Sequence, residues 1–171
     1  LVRLYIFVIF TSILIYSCNN KSDVNQENKK FVKKYKGKTF VLPRTSKVLY
    51  KDSTYNKQNF VENNHKLKIV TFIKGDCRTC IMELKKWNKI FKYSKSKKDL
   101  KVLLYFFTSD LKHFRNNLYV KSIHQYPLLL DQNHKYIDKN DLPLEKKRFQ
   151  TFLLDSNNKI ILIGTLFLIK N

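Results

Sequence analysis

Glycine and proline are scarce in this sequence, with three of each in 171 residues, alongside three cysteines, one methionine and one tryptophan. So little Gly and Pro excludes collagen-like and linker-like compositions, and three cysteines are too few for a miniprotein stapled by several disulfides. Acidic residues are sparse as well: 13 Asp+Glu stand against 34 Lys+Arg, a formal net charge of +21. What the chain has in quantity is apolar and aromatic material, 43% and 14% of its residues. Disordered chains are poor in aromatic and β-branched residues and bury too little surface to offset chain entropy. One compact domain of ordinary size is expected, with little room for a second.

A charge of +21 would suit nucleic acid if the cations were clustered, because clustered cations release counterions from phosphates. Here lysines run from Lys21 to Lys170, arginine is scarce, and Asn, Ile, Phe and Tyr are abundant. That is broad compositional drift, and pairs such as Lys97-Lys98 and Lys146-Lys147 read as solvated faces. No nucleic-acid partner is expected. An anionic lipid surface is the other reading of the excess lysine, and the N-terminus favours it.

Residues 1–17 read as a lipoprotein signal peptide. Arg3 supplies a positive start, Leu4 to Tyr16 form an apolar run broken only by Thr11 and Ser12, and Ser17 places a small residue before Cys18. The run is short for a transmembrane span of about 20 residues. Its end, Leu14-Ile15-Tyr16-Ser17-Cys18, resembles a bacterial lipobox, in which cleavage leaves an N-terminal cysteine carrying acyl chains. That resemblance implies lipidation of Cys18 and a lipid anchor in the membrane. An uncleaved membrane anchor is the alternative, and either places the domain in the cell envelope, on the periplasmic or extracellular side.

After Cys18, residues 19–28 are polar and lack apolar periodicity, as a tether does. Phe31, Val32 and Tyr35 then fall at helical spacing, with Gly37 where a helix-ending glycine stands. Residues 18–37 are thus the lipidated cysteine, a polar tether and a short helix, and 38–171 the folded domain. Within it Lys38–Leu42 is predicted as a strand stopped by Pro43, followed by a weaker strand at Val48–Tyr50 and a polar loop from Asn56 to Asn64.

Leu67–Ile73, rich in β-branched and aromatic residues, predicts a buried strand. Lys74-Gly75-Asp76 breaks it. Beyond Cys77, Ile81, Leu84, Trp87, Ile90 and Phe91 recur every three or four residues, the face of a helix packed on a sheet. Lys101–Phe107 predicts a second buried strand, Asp110–Ile123 a second helix and Tyr126–Leu130 a short strand. Phe152–Asp155 and Lys159–Ile163 predict a hairpin around Ser156-Asn157-Asn158. Strands alternating with helices and followed by a hairpin describe an α/β sandwich around a mixed sheet.

The candidate chemistry sits at Cys77-Arg78-Thr79-Cys80, between the first buried strand and its helix. Two thiols separated by two residues at a helix N-terminus can close a disulfide within one turn. The first faces unpaired N–H groups and the positive end of the helix dipole, which stabilise its thiolate. Arg78 assists and Asp76 opposes. An attacking Cys77 and a resolving Cys80 follow, because the first cysteine is nearer solvent.

Residues from about Lys38 to Gly164 resemble the thioredoxin-like fold, in particular the TlpA/ResA-type thioredoxin-like lipoproteins of Bacteroidetes. The resemblance is carried by Lys68-Ile69-Val70-Thr71-Phe72-Ile73, Gly75-Asp76-Cys77-Arg78-Thr79-Cys80 and Trp87, then by Tyr126-Pro127-Leu128-Leu129-Leu130-Asp131 and Thr151-Phe152-Leu153-Leu154-Asp155 leading to Gly164. It implies a three-layer sandwich with a central mixed sheet. It also implies an exported, membrane-tethered thiol-disulfide oxidoreductase acting on exported protein thiols or disulfides, or a close non-catalytic relative.

Three departures stand out. Asp76 replaces the tryptophan usual before the first cysteine, exchanging an aromatic lid for a charge that raises the thiol pKa. Phe149 occupies the position of the family's cis-proline. A cis bond before a residue other than proline costs about 2.5–4 kcal/mol, so the Arg148–Phe149 peptide is expected to be trans, with the Phe149 ring near the dithiol. Finally, the chain reaches Asn171 soon after the hairpin, with no room for a full closing helix, so the expectation is either a less covered sheet face or a truncated chain.

Two alternatives are weighed against exchange chemistry. Copper or zinc accepts thiolate and imidazole, so Cys77 and Cys80 with His65, His113, His124 or His134 would be candidate ligands. With no second cysteine pair and no paired-histidine motif, no metal site and no cofactor are assigned. The other alternative is a structural Cys77–Cys80 disulfide in a binding or accessory lipoprotein.

Overall fold

The computed structural model describes residues 25–42, 45–50, 53–58, 65–121, 126–143 and 149–164. Outside them lie the signal segment 1–17, Cys18, the later part of the loop predicted to Asn64, His124 and Arg148. The chain divides into two compact units, Leu1–Lys36 and Gly37–Asn171. In the first, residues 25–35 form helix α1, so the helix begins within the stretch read as tether. Lys36 N–H donates to Val32 O (2.9 Å), and Phe31 and Tyr35, one turn apart, bring their ring centroids to 4.4 Å.

The second unit opens with Gly37 at φ 84°, a left-handed value that only glycine adopts without strain. It is built on a seven-stranded sheet ordered β2-β1-β5-β4-β3-β6-β7. The strands are β1 (Thr45–Tyr50), β2 (Ser53–Gln58), β3 (Leu67–Lys74), β4 (Leu100–Phe107), β5 (Leu128–Leu130), β6 (Thr151–Leu154) and β7 (Ile160–Gly164). The helices are α2 (Arg78–Lys95), α3 (Leu111–Lys121) and α4 (Lys135–Lys139), the last preceded by a 3-10 turn, Gln132–His134.

β3 pairs in parallel with β4 from Leu67↔Leu100 to Lys74↔Phe107 and antiparallel with β6 from Lys68↔Leu154 to Thr71↔Thr151. β4 pairs in parallel with β5, β1 lies antiparallel between β5 and β2, and β6–β7 is the predicted hairpin. The sheet is therefore mixed, as expected. Parallel neighbours need a crossover, which is almost always right-handed. The connections through α2 and α3 step across the sheet in the same direction, so both helices belong on one face. There Ile81, Leu84 and Trp87 of α2 and Phe114 of α3 share a core with Ile73, Leu104 and Phe106.

The alternate side chains of the same strands line the other face. Phe40 meets Phe152 at 5.2 Å, Phe72 stacks on Tyr105 at 5.3 Å, and Tyr105 meets Tyr136 of α4 at 6.1 Å. Helices on both sides of the sheet make three layers.

Two elements differ from expectation. Lys38–Leu42 forms no strand: Thr39 makes a single bridge with Lys159, and Phe40 N–H donates to Asn158 O (2.7 Å). Beyond the turn this segment meets the first residue of the edge strand β7, where Ile160 N–H donates to Lys38 O (2.9 Å) and Ile160 O accepts from Gly37 N–H (2.8 Å). The loop predicted from Asn56 begins as β2, in register with β1 from Thr45↔Gln58 to Tyr50↔Ser53; polar side chains suit an edge strand. α4 carries no clear sequence signal. It is organised by the buried Asp131, whose carboxylate accepts from Tyr136 N–H (3.0 Å) and Ile137 N–H (3.2 Å).

Gly75 ends β3 with its N–H donating to Phe107 O (2.8 Å). A Cβ there would lie 2.8 Å from Phe114 Cδ2 and 2.9 Å from Thr108 Cβ. Phe114 is fully buried and stacked on Phe106 at 4.4 Å, so its ring has nowhere to retreat. Gly75→Ala is expected to cost about 1–3 kcal/mol by overpacking, read as a lower urea midpoint; an unchanged midpoint would show that the turn adapts.

Candidate functional site

β3 ends at Lys74 and α2 starts at Arg78, so Gly75-Asp76-Cys77 makes the whole connection. Cys77 is the N-cap of α2, with extended backbone (φ −104°, ψ 111°), and its Sγ accepts from Cys80 N–H at 3.3 Å. A capping side chain ordinarily offers oxygen to one of the helix's unpaired N–H groups; here sulfur does so. Thr79 Oγ1 lies 3.1 Å from the same Sγ. Cys77 and Cys80 are joined by a disulfide with Cα atoms 5.1 Å apart. Both cysteines are half-buried, so solvent reaches the disulfide.

The first turn of α2 carries no acidic residue, and Arg78 and Thr79 are exposed at its start. When the pair is reduced, dipole and cation together favour a Cys77 thiolate. Asp76 acts against them, and the structure shows what holds it. Its carboxylate accepts from Thr108 Oγ1 in a short hydrogen bond, from Ser109 N–H (3.1 Å) and from Ser109 Oγ (3.2 Å). Burial pushes the carboxyl up, but those hydrogen bonds and the charge of Lys74 outweigh it and hold the group below its ordinary range. Asp76 is thus a charged strut between the β3–α2 and β4–α3 turns.

Sequence reasoning does not reveal Thr108 and Ser109 as part of this site. The available signal is the register: Lys74 pairs with Phe107, so Asp76 and Ser109 stand equally far past one rung. Asp110 then caps α3, accepting from His113 N–H at 2.8 Å.

Phe149 is buried, 5% exposed. Phe72 N–H donates to Gln150 O (3.0 Å), and continuing the β3–β6 register places Phe149 beside Ile73, at the end of β3 that leads to Cys77. The Arg148–Phe149 peptide falls outside the described residues. Of the histidines, His113 and His134 are exposed, and the His134 ring meets Phe107 edge-on at 5.0 Å. Among the described residues no three of His, Cys, Asp and Glu are grouped to hold a metal, and no helix is long and apolar enough to cross a membrane.

Among solved structures, the chain is similar to AhpC of Mycobacterium tuberculosis, at 16% identity over 80% of this chain and 90% of that one, with a TM-score of 0.54. It is similar to the 2-Cys peroxiredoxin of Plasmodium vivax, at 18% identity over 80% and 76% of the two chains, TM-score 0.54. A domain of a possible thiol-disulfide isomerase from Cytophaga hutchinsonii matches at 17% identity over 74% and 86%, TM-score 0.50. The fold is thioredoxin-like. No protein-family model and no curated protein matches the sequence. In this thioredoxin-like domain the cysteine pair occupies the junction between β3 and α2.

Replacing Asp76 by Asn removes a charge that disfavours the thiolate and therefore stabilises the reduced pair. Asp76→Asn should raise the reduction potential, measured by equilibration with glutathione. The strut has a pH signature. The folded-state pKa is lowered, so its stabilisation is full above the ordinary value of 3.8 and is lost as pH falls through the lowered one. In urea, the wild-type advantage over Asp76→Asn should hold from neutral pH to about 4 and shrink below it; a difference that does not change with pH would deny the carboxylate this role.

Proposed function

We propose that this domain is a membrane-tethered thiol-disulfide oxidoreductase of the cell envelope that acts on exported protein thiols and disulfides, with Cys77 the exchanging sulfur and Cys80 the resolving one. The observation that carries the reading is the Cys77–Cys80 disulfide at the N-terminus of α2, with Cys77 Sγ capping the helix.

In the oxidising direction a substrate thiolate attacks Cys77 Sγ. The Cys77–Cys80 bond breaks, its electron pair leaves on Cys80 Sγ, and a mixed disulfide forms. A second substrate thiol loses its proton and attacks the substrate sulfur of that mixed disulfide, releasing Cys77 as thiolate. Two substrate thiols become a disulfide, and two electrons and two protons pass to the pair. In reverse, Cys77 thiolate attacks a substrate disulfide and Cys80 displaces the mixed disulfide, reducing the substrate. Helix N–H groups and Arg78 stabilise the Cys77 thiolate in both directions. Phe149, at the position where relatives present a cis-proline, restricts substrate docking in this reading.

The signal peptide 1–17 and the lipid on Cys18 deliver and hold the domain, with residues 18–37 as linker and 38–171 as the exchanging unit. This part is supported by the sequence of the N-terminus. Cys18→Ala should release the protein from membranes; unchanged retention would indicate an uncleaved anchor.

Trapping tests the chemistry. Cys80→Ser should accumulate mixed disulfides through Cys77 that are resolved by non-reducing gel and absent from Cys77→Ser. An empty trap, with a wild-type disulfide that glutathione does not open, would instead favour a binding or accessory lipoprotein with a structural Cys77–Cys80 bond.

A further inference from the structure

α2 gives the sheet Ile81, Leu84 and Trp87 and presents a different face to solvent. At 3.6 residues per turn, Arg78, Met82, Lys85, Lys89, Lys92 and Tyr93 fall within a wedge of about 100°, and all six are exposed. Four are cations and none is an acid. The helix holds six basic residues and one acid, Glu83, a net +5 in 18 residues, against +21 in 171 for the whole chain. Its charge density is thus more than twice the average, so general lysine enrichment does not account for the stripe. Lys85 and Lys89, then Lys89 and Lys92, stand at spacings where like charges destabilise a helix. Among the described residues none of these three lysines meets a carboxylate.

The stripe starts at Arg78, the residue after the exchanging sulfur. With a rise of about 1.5 Å per residue, Lys85, Lys89 and Lys92 lie roughly 10, 16 and 21 Å along the helix from it. An extended polypeptide covers those distances in about three, five and six residues. Resting on the reading of Cys77 as the exchanging sulfur, we propose that the exposed face of α2 docks an acidic segment of the protein substrate, with Asp or Glu about three to six residues from the reacting cysteine. Met82, 40% exposed, and Tyr93, 60% exposed, add apolar contact at the two ends, and Lys97 Nζ lies 5.4 Å over the Tyr93 ring. The alignment of the stripe with the disulfide favours a polypeptide over a lipid surface, because a helix laid flat on headgroups would cover the sulfur that substrates must reach.

The test uses the full chain with Cys18→Ser, so that Cys77 and Cys80 are the only cysteines, and dithiol peptides with acidic or with neutral Gln flanks. At low ionic strength the acidic peptide should exchange about tenfold faster than the neutral one. The ratio should collapse in about 0.5 M salt, where the Debye length is only ~4 Å. K85Q/K89Q/K92Q should bring the ratio to about one without slowing the neutral peptide, and K85R/K89R/K92R should keep the preference. A wild-type ratio near one, or a ratio that survives the Gln variant, overturns the proposal while the oxidoreductase reading stands. Lysine-dependent sedimentation with phosphatidylglycerol but not phosphatidylcholine vesicles, alongside equal peptide rates, assigns the face to lipid and overturns it too. No exchange with either peptide removes the oxidoreductase reading and this inference together.

Discussion

The parallel ladder between β3 and β4, unbroken from Leu67↔Leu100 to Lys74↔Phe107, is the constraint on which the site depends. Two parallel strands cannot be joined by a tight turn, so a helix must cross between them and must begin near the C-terminal end of the first strand. That places the N-terminus of α2 beyond Lys74, and the β4–α3–β5 crossover places the start of α3 at the neighbouring strand end. Two βα turns side by side leave little space, and Gly75 is where the space runs out: a Cβ would meet Phe114 and Thr108 at under 3 Å. The absence of one side chain lets the cysteine turn and α3 approach closely enough for Asp76 to reach Thr108 and Ser109.

Electrostatics at this junction sets opposing contributions against one another. A helix dipole contributes about 0.3–1 kcal/mol to a charge at its N-terminus, Arg78 adds to it, and Asp76 subtracts. Asp76 cannot be regarded as a tuning charge alone, because its oxygens accept three donors from the next turn. Those donors keep it ionised, and ionisation keeps it repelling a Cys77 thiolate. Structural order and resistance to thiolate formation are thus coupled in a single carboxylate.

Much of this was legible in the sequence, and the reasons are physical. β3 and β4 are buried on both faces and read as continuous β-branched and aromatic runs, while α2 shows an apolar period of three to four because one face meets the sheet. The Cys77/Cys80 spacing and its place after a buried strand pointed to the junction. β2 was hidden because an edge strand such as Ser53–Gln58 needs no apolar residues. Lys38–Leu42 looked like a strand because Phe40 and Val41 are apolar, yet Phe40 serves as a plug among Phe72 and Phe152. Thr108 and Ser109 lie 32 and 33 residues from Asp76, and only the strand register relates them.

The same register gives the junction a polarity. Asp76 is tied to the β4–α3 turn, while the cations of α2 begin at Arg78, after Cys77 in the chain. In a chain with 13 acids among 171 residues, an acid placed directly before the first cysteine is the local exception. Cys77 therefore stands between an anion at position 76 and a cation at position 78, and the outer face of α2 beyond it carries no acid. A neutral residue at position 76 would leave the cations of the helix face in place and remove both the strut and the repulsion it exerts on a Cys77 thiolate, so one carboxylate orders the turn and opposes ionisation of the sulfur beside it.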